Sequence, residues 1–239
     1  MNRYLIPALG ILLSLSVTGY AAEPAGSGIT FPLTRVIYPE SAGNGITFTV
    51  TNNTDRVYLL QSRVIPAEAE TDGPVPFIVI PPLTRFEPGA AVTLLIRRSG
   101  SVAETDRELL WRLALKAIPA QQSASGAPDG DAALVLALQN NLKLFYRPDS
   151  IAAPDTAERA AQLQFSQQGG YLTVTNPAPY YVTFSELQAD GRAVETGGNR
   201  MLAPHSTVRY PVQRQVSSVS WSVTGDDGRQ TGPHSRRLN

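Results

Sequence analysis

The sequence predicts an all-β protein built of sandwich domains, and three observations carry that expectation. Apolar and polar residues alternate with period two through much of the chain, 19 glycines and 19 prolines are spread along it, and turn-forming clusters interrupt the alternation at short intervals. Ile46, Phe48 and Val50 alternate with Thr47, Thr49 and Thr51, and Asn52-Asn53-Thr54-Asp55 then turns the chain. Val57 to Val64 reads as the next strand. Pro74, Pro76 and Pro81-Pro82 break the pattern, and Glu87-Pro88-Gly89 turns before a strand from Val92 to Arg97. Tyr171 to Thr175, Tyr180 to Phe184, Val208 to Val212 and Val219 to Val223 continue it after an Asn176-Pro177 turn. Short strands with regular turn signals are the pattern of β-sandwiches.

The N-terminus reads as an export signal rather than as part of the fold. Arg3 supplies a positive start, Leu5 to Val17 are mostly apolar, and Gly19 and Ala21 provide the small residues of a cleavage site. Pro7 argues against a buried helix there. No later segment reaches the roughly 18 unbroken apolar residues of a membrane span, so no membrane insertion is expected after cleavage. The rest is long enough for two domains of about 100 residues. The expected divisions are a signal at 1–21, a first domain at 22–147 and a second at 148–239, with the boundary at the Arg147-Pro148-Asp149 corner.

Composition excludes several functions. The formal net charge is +0, which removes the electrostatic case for nucleic acid. There are 0 cysteines, and the 2 histidines, His205 and His234, lie in turn-like sequence, His234 in what reads as a mobile tail. No metal or cofactor is therefore expected. No nucleophile elbow or phosphate loop is present, so the chain does not read as an enzyme.

Three segments resist the simple pattern. Thr105-Asp106-Arg107-Glu108 resembles a helix capping box, and Leu109, Leu110, Leu113 and Ala114 follow at helical spacing. The same stretch also alternates, with Leu109, Trp111, Leu113 and Leu115 on one face. Thr156 to Ala161 is open as a short helix, and Ala120 to Asp131 reads as a loop. The third is Ala133 to Tyr146, where Leu134, Leu136, Leu138, Leu142 and Leu144 share one face while Val135, Ala137 and Phe145 share the other. A strand apolar on both faces needs cover on both. It is either a central strand or an edge strand that a partner occupies.

Asn141-Leu142-Lys143-Leu144-Phe145-Tyr146-Arg147-Pro148 resembles the signature of the periplasmic pilus-assembly chaperones. Thr34 to Tyr38 resembles that family's first strand. Pro81-Pro82 with Arg85 to Gly89 resembles its mid-domain corner, and Asp106 to Pro119 its sixth strand, which favours the strand reading of that segment. Asn176 to Val182 and Trp221 to Gly228 resemble parts of its second domain. The resemblance implies two immunoglobulin-like sandwiches set in an L and a periplasmic location. It implies pilus (fimbrial) subunits and an outer-membrane usher as partners. It further implies that Leu134, Leu136 and Leu138 belong to a strand donated to the subunit, a known case of strand addition. Arg35 and Lys143 would bind the subunit's C-terminal carboxylate in the cleft, and Glu108, Arg147 and Asp226 would form an interdomain ion network. The competing reading is a secreted immunoglobulin-like module that binds carbohydrate or protein, with Trp111, Trp221, Tyr180 or Tyr181 as a stacking platform.

Overall fold

A computed structural model of the protein describes residues 28–68, 75–103, 105–120, 136–151 and 155–238. The expected signal segment, the loop after Ala120 and Leu134 lie outside these residues. The first sandwich contains β1 (Ile29–Thr30), β2 (Arg35–Pro39), β3 (Ile46–Asn52), β4 (Tyr58–Pro66), β5 (Phe77–Ile80), β6 (Leu83–Phe86), β7 (Ala91–Arg98), β8 (Leu109–Pro119) and β9 (Leu138–Arg147). One sheet has the order β1-β3-β7-β5 and the other β2-β9-β8-β4-β6. Their inner faces enclose a core that includes Phe48, Val50, Leu60, Leu94, Ile96, Leu113, Leu144 and Tyr146.

The second sandwich begins with a short helix, α1 (Thr156–Ala161), then β10 (Gln164–Gln168), β11 (Tyr171–Asn176), β12 (Val182–Ala189) and β13 (Arg192–Ala193). It continues with β14 (Met201–Leu202), β15 (Ser206–Pro211), β16 (Ser218–Thr224) and β17 (Gln230–Arg237). The sheets are β10-β11-β15 and β13-β12-β16-β17, with β14 added to β12. The helix forms because Asp155 accepts the Ala157 amide at its start. It packs Ala160 under Trp221, whose indole N–H donates to the Ala160 carbonyl at 3.1 Å.

One expectation is met and one changes. The segment after Leu109 is the strand that the resemblance favoured, although its Leu, Ala and Arg residues favour a helix. β4 and β9 pair with it on either side, and its odd-numbered residues Leu109 to Leu115 face the core. The C-terminal segment is no loose tail. β17 pairs with β16 and sets His234 opposite Trp221, with ring centroids 5.6 Å apart.

Each sandwich is tied at one corner by a fully buried asparagine that ends the same tetrapeptide, Thr-Val-Thr-Asn, at 49–52 and again at 173–176. The Asn52 amide donates to the carbonyls of Arg56, Phe86 and Glu87 at 2.8, 3.2 and 3.0 Å, and its oxygen accepts from the Thr54 amide and hydroxyl. Asn176 donates to the carbonyls of Tyr180 and Ala203 at 2.7 and 2.9 Å and accepts from the Ala178 amide. These side chains satisfy carbonyls where the ladders end.

β9 has two halves. Lys143 to Arg147 lie between β2, paired in parallel, and β8, paired antiparallel. Among the described residues, Leu138 to Leu142 pair with β8 alone and leave their other edge open. Asn52→Ala should lower the unfolding free energy by about 2–4 kcal/mol, since buried carbonyls lose their donors. Thr49→Ala, which removes only the hydroxyl contact to Thr93, should cost under about 1 kcal/mol. Urea unfolding of the two variants makes the comparison.

Candidate functional site

The parallel register between β2 and β9 builds the site. It sets Arg35 beside Lys143, Ile37 beside Phe145 and Pro39 beside Arg147. Even-numbered residues of both strands, Val36, Tyr38, Leu144 and Tyr146, enter the first core. Odd-numbered residues therefore emerge on the opposite face, which meets the second sandwich. The β8 register extends the row, because Arg112 pairs with Lys143. Three cationic positions thus lie side by side across the sheet.

Both expected cleft cations reach the second sandwich. Arg35 Nη1 donates to the Thr224 carbonyl at 3.2 Å, and its guanidinium lies over the Phe145 ring, 5.9 Å from the centroid. Lys143 Nζ donates to the Thr183 hydroxyl at 3.4 Å. Gly228 permits this approach. Its φ is +81°, and a Cβ there would meet the Thr34 hydroxyl at 2.7 Å.

Neither cation has a carboxylate partner among the described residues. Arg35 is 8 % exposed and its Nε is buried without a hydrogen-bond partner. Burial, foremost, holds Lys143 down to about 8, and the charges of Arg35 and Arg112 add to the effect. Burial also lowers Arg35, with Asp226 opposing. A pair of poorly solvated cations is an anion site, because an incoming negative charge offsets both the desolvation and the repulsion.

The three expected network residues also meet. Arg147 Nε donates to Glu108 Oε1 at 2.8 Å, and Arg147 Nη1 donates to Asp226 Oδ2 at 2.9 Å. Glu108 is 2 % exposed, and its other oxygen accepts the Tyr181 amide at 2.9 Å. Glu108 and Arg147 belong to the first sandwich and Asp226 and Tyr181 to the second, so the cluster spans the junction. Burial pushes Glu108 up in spite of Arg147. For Asp226, burial acts upward, but the Arg147 hydrogen bond and the charges of Arg159 and Arg147 outweigh it and hold the carboxyl down.

Arg159 is the member that sequence reasoning missed. It comes from α1, lies 3.1 Å from Asp226 Oδ2 through Nη2, and shares the Tyr180 ring with Arg147 at 5.2 and 5.6 Å. The available signal was slight. Arg159 is the only basic residue of the possible helix at Thr156 to Ala161, and it is buried there beside Ala160.

The leucine row of this strand divides in the same way, and the expected donor residues Leu136 and Leu138 fall on its exposed part. Leu142 packs against the first core and Leu144 is inside it, while Leu136 and Leu138 are 67 % and 64 % exposed. Leu138 follows the same alternation, so the core-facing row of β9 continues past the end of its own core. The aromatic residues of the carbohydrate reading do not form a platform. Trp111 packs on Phe77 at 5.1 Å, Trp221 and Tyr180 are buried, and Tyr181 lies 5.4 Å from Phe145.

Comparison with known proteins agrees with this layout. Residues 28–152 match the family described as "Pili and flagellar-assembly chaperone, PapD N-terminal domain", and residues 158–235 match "Pili assembly chaperone PapD, C-terminal domain". The Escherichia coli chaperone protein FocC is 34 % identical over 226 residues, covering 92 % of this chain and 94 % of FocC. FimC of Escherichia coli K12 is 32 % identical, covering 93 % of this chain and 88 % of its own. A chain of the Salmonella enterica complex of SafA pilin with the SafB chaperone superposes with a TM-score of 0.76 at 29 % identity, covering 90 % of this chain and 99 % of that one. The Pseudomonas aeruginosa CupB2 chaperone superposes with a TM-score of 0.71 at 29 % identity, covering 88 % and 100 %.

A pH titration of the Lys143 ammonium group by NMR should give a midpoint near 8. Arg35→Ala should raise that midpoint, because a neighbouring positive charge is gone. An unchanged midpoint would mean that the two cations do not sense each other.

Proposed function

The chain belongs to the family of PapD-type pilus-assembly chaperones, and on that premise we propose that it completes pilus subunits with β9 and anchors their C-terminal carboxylate on Arg35 and Lys143. The observation that carries this reading is the two-part character of β9. Its core-facing row runs past its own core, exposing Leu136 and Leu138 beside an open strand edge. A monomeric sandwich gains nothing by presenting leucines and unpaired backbone groups together. A subunit with an unfilled groove gains both, and each leucine it buries contributes roughly 1.5–3 kcal/mol before the cost of association. Leu134 lies outside the described residues and joins the proposed donor set through its place in the sequence alternation.

The cations complete the arrangement. They lie where the open edge of β9 meets the end of β2, so a subunit strand that replaces β2 along the edge would end against them. A carboxylate there satisfies the Arg35 Nε and compensates the desolvated Lys143. The anchor sets the register, and with it which leucine meets which part of the groove. Glu108, Arg147 and Asp226 hold the two sandwiches at the angle that keeps this corner open.

The same reading extends to location, delivery and domain bounds, which the family matches over residues 28–152 and 158–235 support in outline. The protein works in the periplasm and delivers its subunits to an outer-membrane usher. Residues 1–21 are the cleaved signal, residues 22–147 the first domain and residues 148–239 the second. The mature protein should begin at Ala22 or Glu23, which an intact-mass measurement on periplasmic material would decide.

Co-expression with a pilus subunit tests the mechanism. Leu136→Asp should leave a folded monomer that no longer co-purifies with the subunit. An unfolded Leu136→Asp protein would place that leucine in the chaperone's own core. Arg35→Ala and Lys143→Ala should each weaken capture by roughly ten- to hundredfold, the range of a lost charge-assisted hydrogen bond, with little change in melting temperature. Extending the subunit's C-terminus should weaken capture by wild type and matter much less in the double variant. Equal sensitivity would mean that these cations do not read the terminus.

The same anchor gives capture a pH dependence. The free protein loses the Lys143 proton near pH 8, whereas a bound carboxylate favours the protonated form. Capture should therefore weaken as the pH rises through 8, by at most about tenfold per unit. Lys143→Arg, which stays charged, should flatten the profile.

A further inference from the structure

The cleft sets Arg35, Lys143, Arg147 and Arg159 against the carboxylates Glu108 and Asp226. Arg147 bonds to both carboxylates, and Arg159 bonds to Asp226. Asp226 Oδ2 is thereby shared by Arg147 Nη1 at 2.9 Å and Arg159 Nη2 at 3.1 Å. Arg159 is itself held. It is 5 % exposed, donates to the Thr156 hydroxyl at 2.8 Å and lies on the Tyr180 ring.

Asp226 is also the natural competitor for Arg35. Both side chains line one narrow crevice at the junction of the sandwiches. Arg35 already bonds the carbonyl of Thr224, two residues before Asp226. Of the charged groups around Arg35, Asp226 exerts the strongest pull. The buried Arg35 Nε has no hydrogen-bond partner among the described residues. An Asp226 carboxylate released by one of its two donors would be free to turn toward the unfilled Arg35 donor across that crevice, and a half-buried ion pair of that kind is favoured over leaving either group unfilled.

We propose that Arg159 is a positioning residue that holds Asp226 away from Arg35 and so keeps Arg35 open to an incoming carboxylate. The inference rests on Arg35 as the anchor, but its content is distinct. Arg159 need not touch the subunit. It acts by occupying the carboxylate that would otherwise fill the anchor from within, so its loss mimics a competing ligand.

Acetate serves as the probe and acetamide as its uncharged control, followed on the Arg35 Nε–H resonance assigned by its disappearance in Arg35→Lys. In the wild type, acetate should shift this resonance and acetamide should not. Arg159→Met, similar in length but uncharged, should move it toward a bonded position before any acetate is added. It should also weaken acetate binding by about five- to tenfold. Arg159→Lys, which keeps the charge, should stay close to wild type. Adding Asp226→Asn to Arg159→Met should restore acetate binding, since the competitor is then gone.

That restoration separates the inference from a purely structural role, in which a second lesion in the network would weaken binding further. Equal acetate affinity in wild type and Arg159→Met, or a double variant no better than the single one, would overturn the inference and leave the anchor standing. A wild type that ignores acetate would overturn the anchor itself. Should Arg159→Met fail to fold, Asp226→Asn alone decides. Affinity at or above wild type supports the inference, and a several-fold loss rejects it.

Discussion

The cleft depends on the short parallel pairing of β2 with β9, because that pairing alone decides which side chains stand next to one another there. Parallel neighbours keep the same face residue for residue, so the register of Arg35 with Lys143 commits Phe145 and Arg147 to the same side. A slip of β2 by one residue would turn Arg35 into the sandwich core and bring Val36 out beside Lys143. The desolvation cost of a buried cation forbids it. The register is thus held by the core on one face and expressed as the proposed anion site on the other.

The same pairing is brief, and its brevity matters as much as its register. β2 ends its contact with β9 at Lys143, which leaves the half from Leu138 to Leu142 paired on one side only. Proteins usually blunt such an edge with charge, proline or a covering segment. Here the polar Gln139, Asn140 and Asn141 occupy the open half, but Leu138 and Leu136 remain exposed among them. The fold therefore leaves backbone partners and apolar surface available together.

Electrostatics at the junction follows an unequal distribution of partners. Arg147 and Arg159 take the carboxylates of buried Glu108 and half-buried Asp226, whereas Arg35 and Lys143 are left with a carbonyl and a hydroxyl. Neutral acceptors satisfy hydrogen bonds without cancelling charge, so the excess stays positive in a poorly solvated place. The ion network and the anion site are one system. The network binds the sandwiches together and also consumes the negative charge that would otherwise quench the site.

The sequence by itself determined the all-β class and most strand positions, because period-two alternation and turn chemistry are local properties. The expected cleft residues came only from the resemblance that the signature from Asn141 to Pro148 and the other matched segments carry. The resemblance favoured β8 as a strand against its helix-forming residues, and the tertiary structure supplies the reason, since β4 and β9 give it ladder partners on both sides. Only the tertiary structure decided that β9 is central in one half and an edge in the other, since alternation is blind to how far a neighbouring strand extends. The repeated Thr-Val-Thr-Asn was legible in the chain, yet its burial depends on carbonyls that arrive from as far away as Phe86 and Ala203. Arg159 shows the limit most clearly. Its neighbours in sequence describe a short helix, and it meets Asp226 and Tyr180 only because the folded second sandwich brings the loops that carry them within reach.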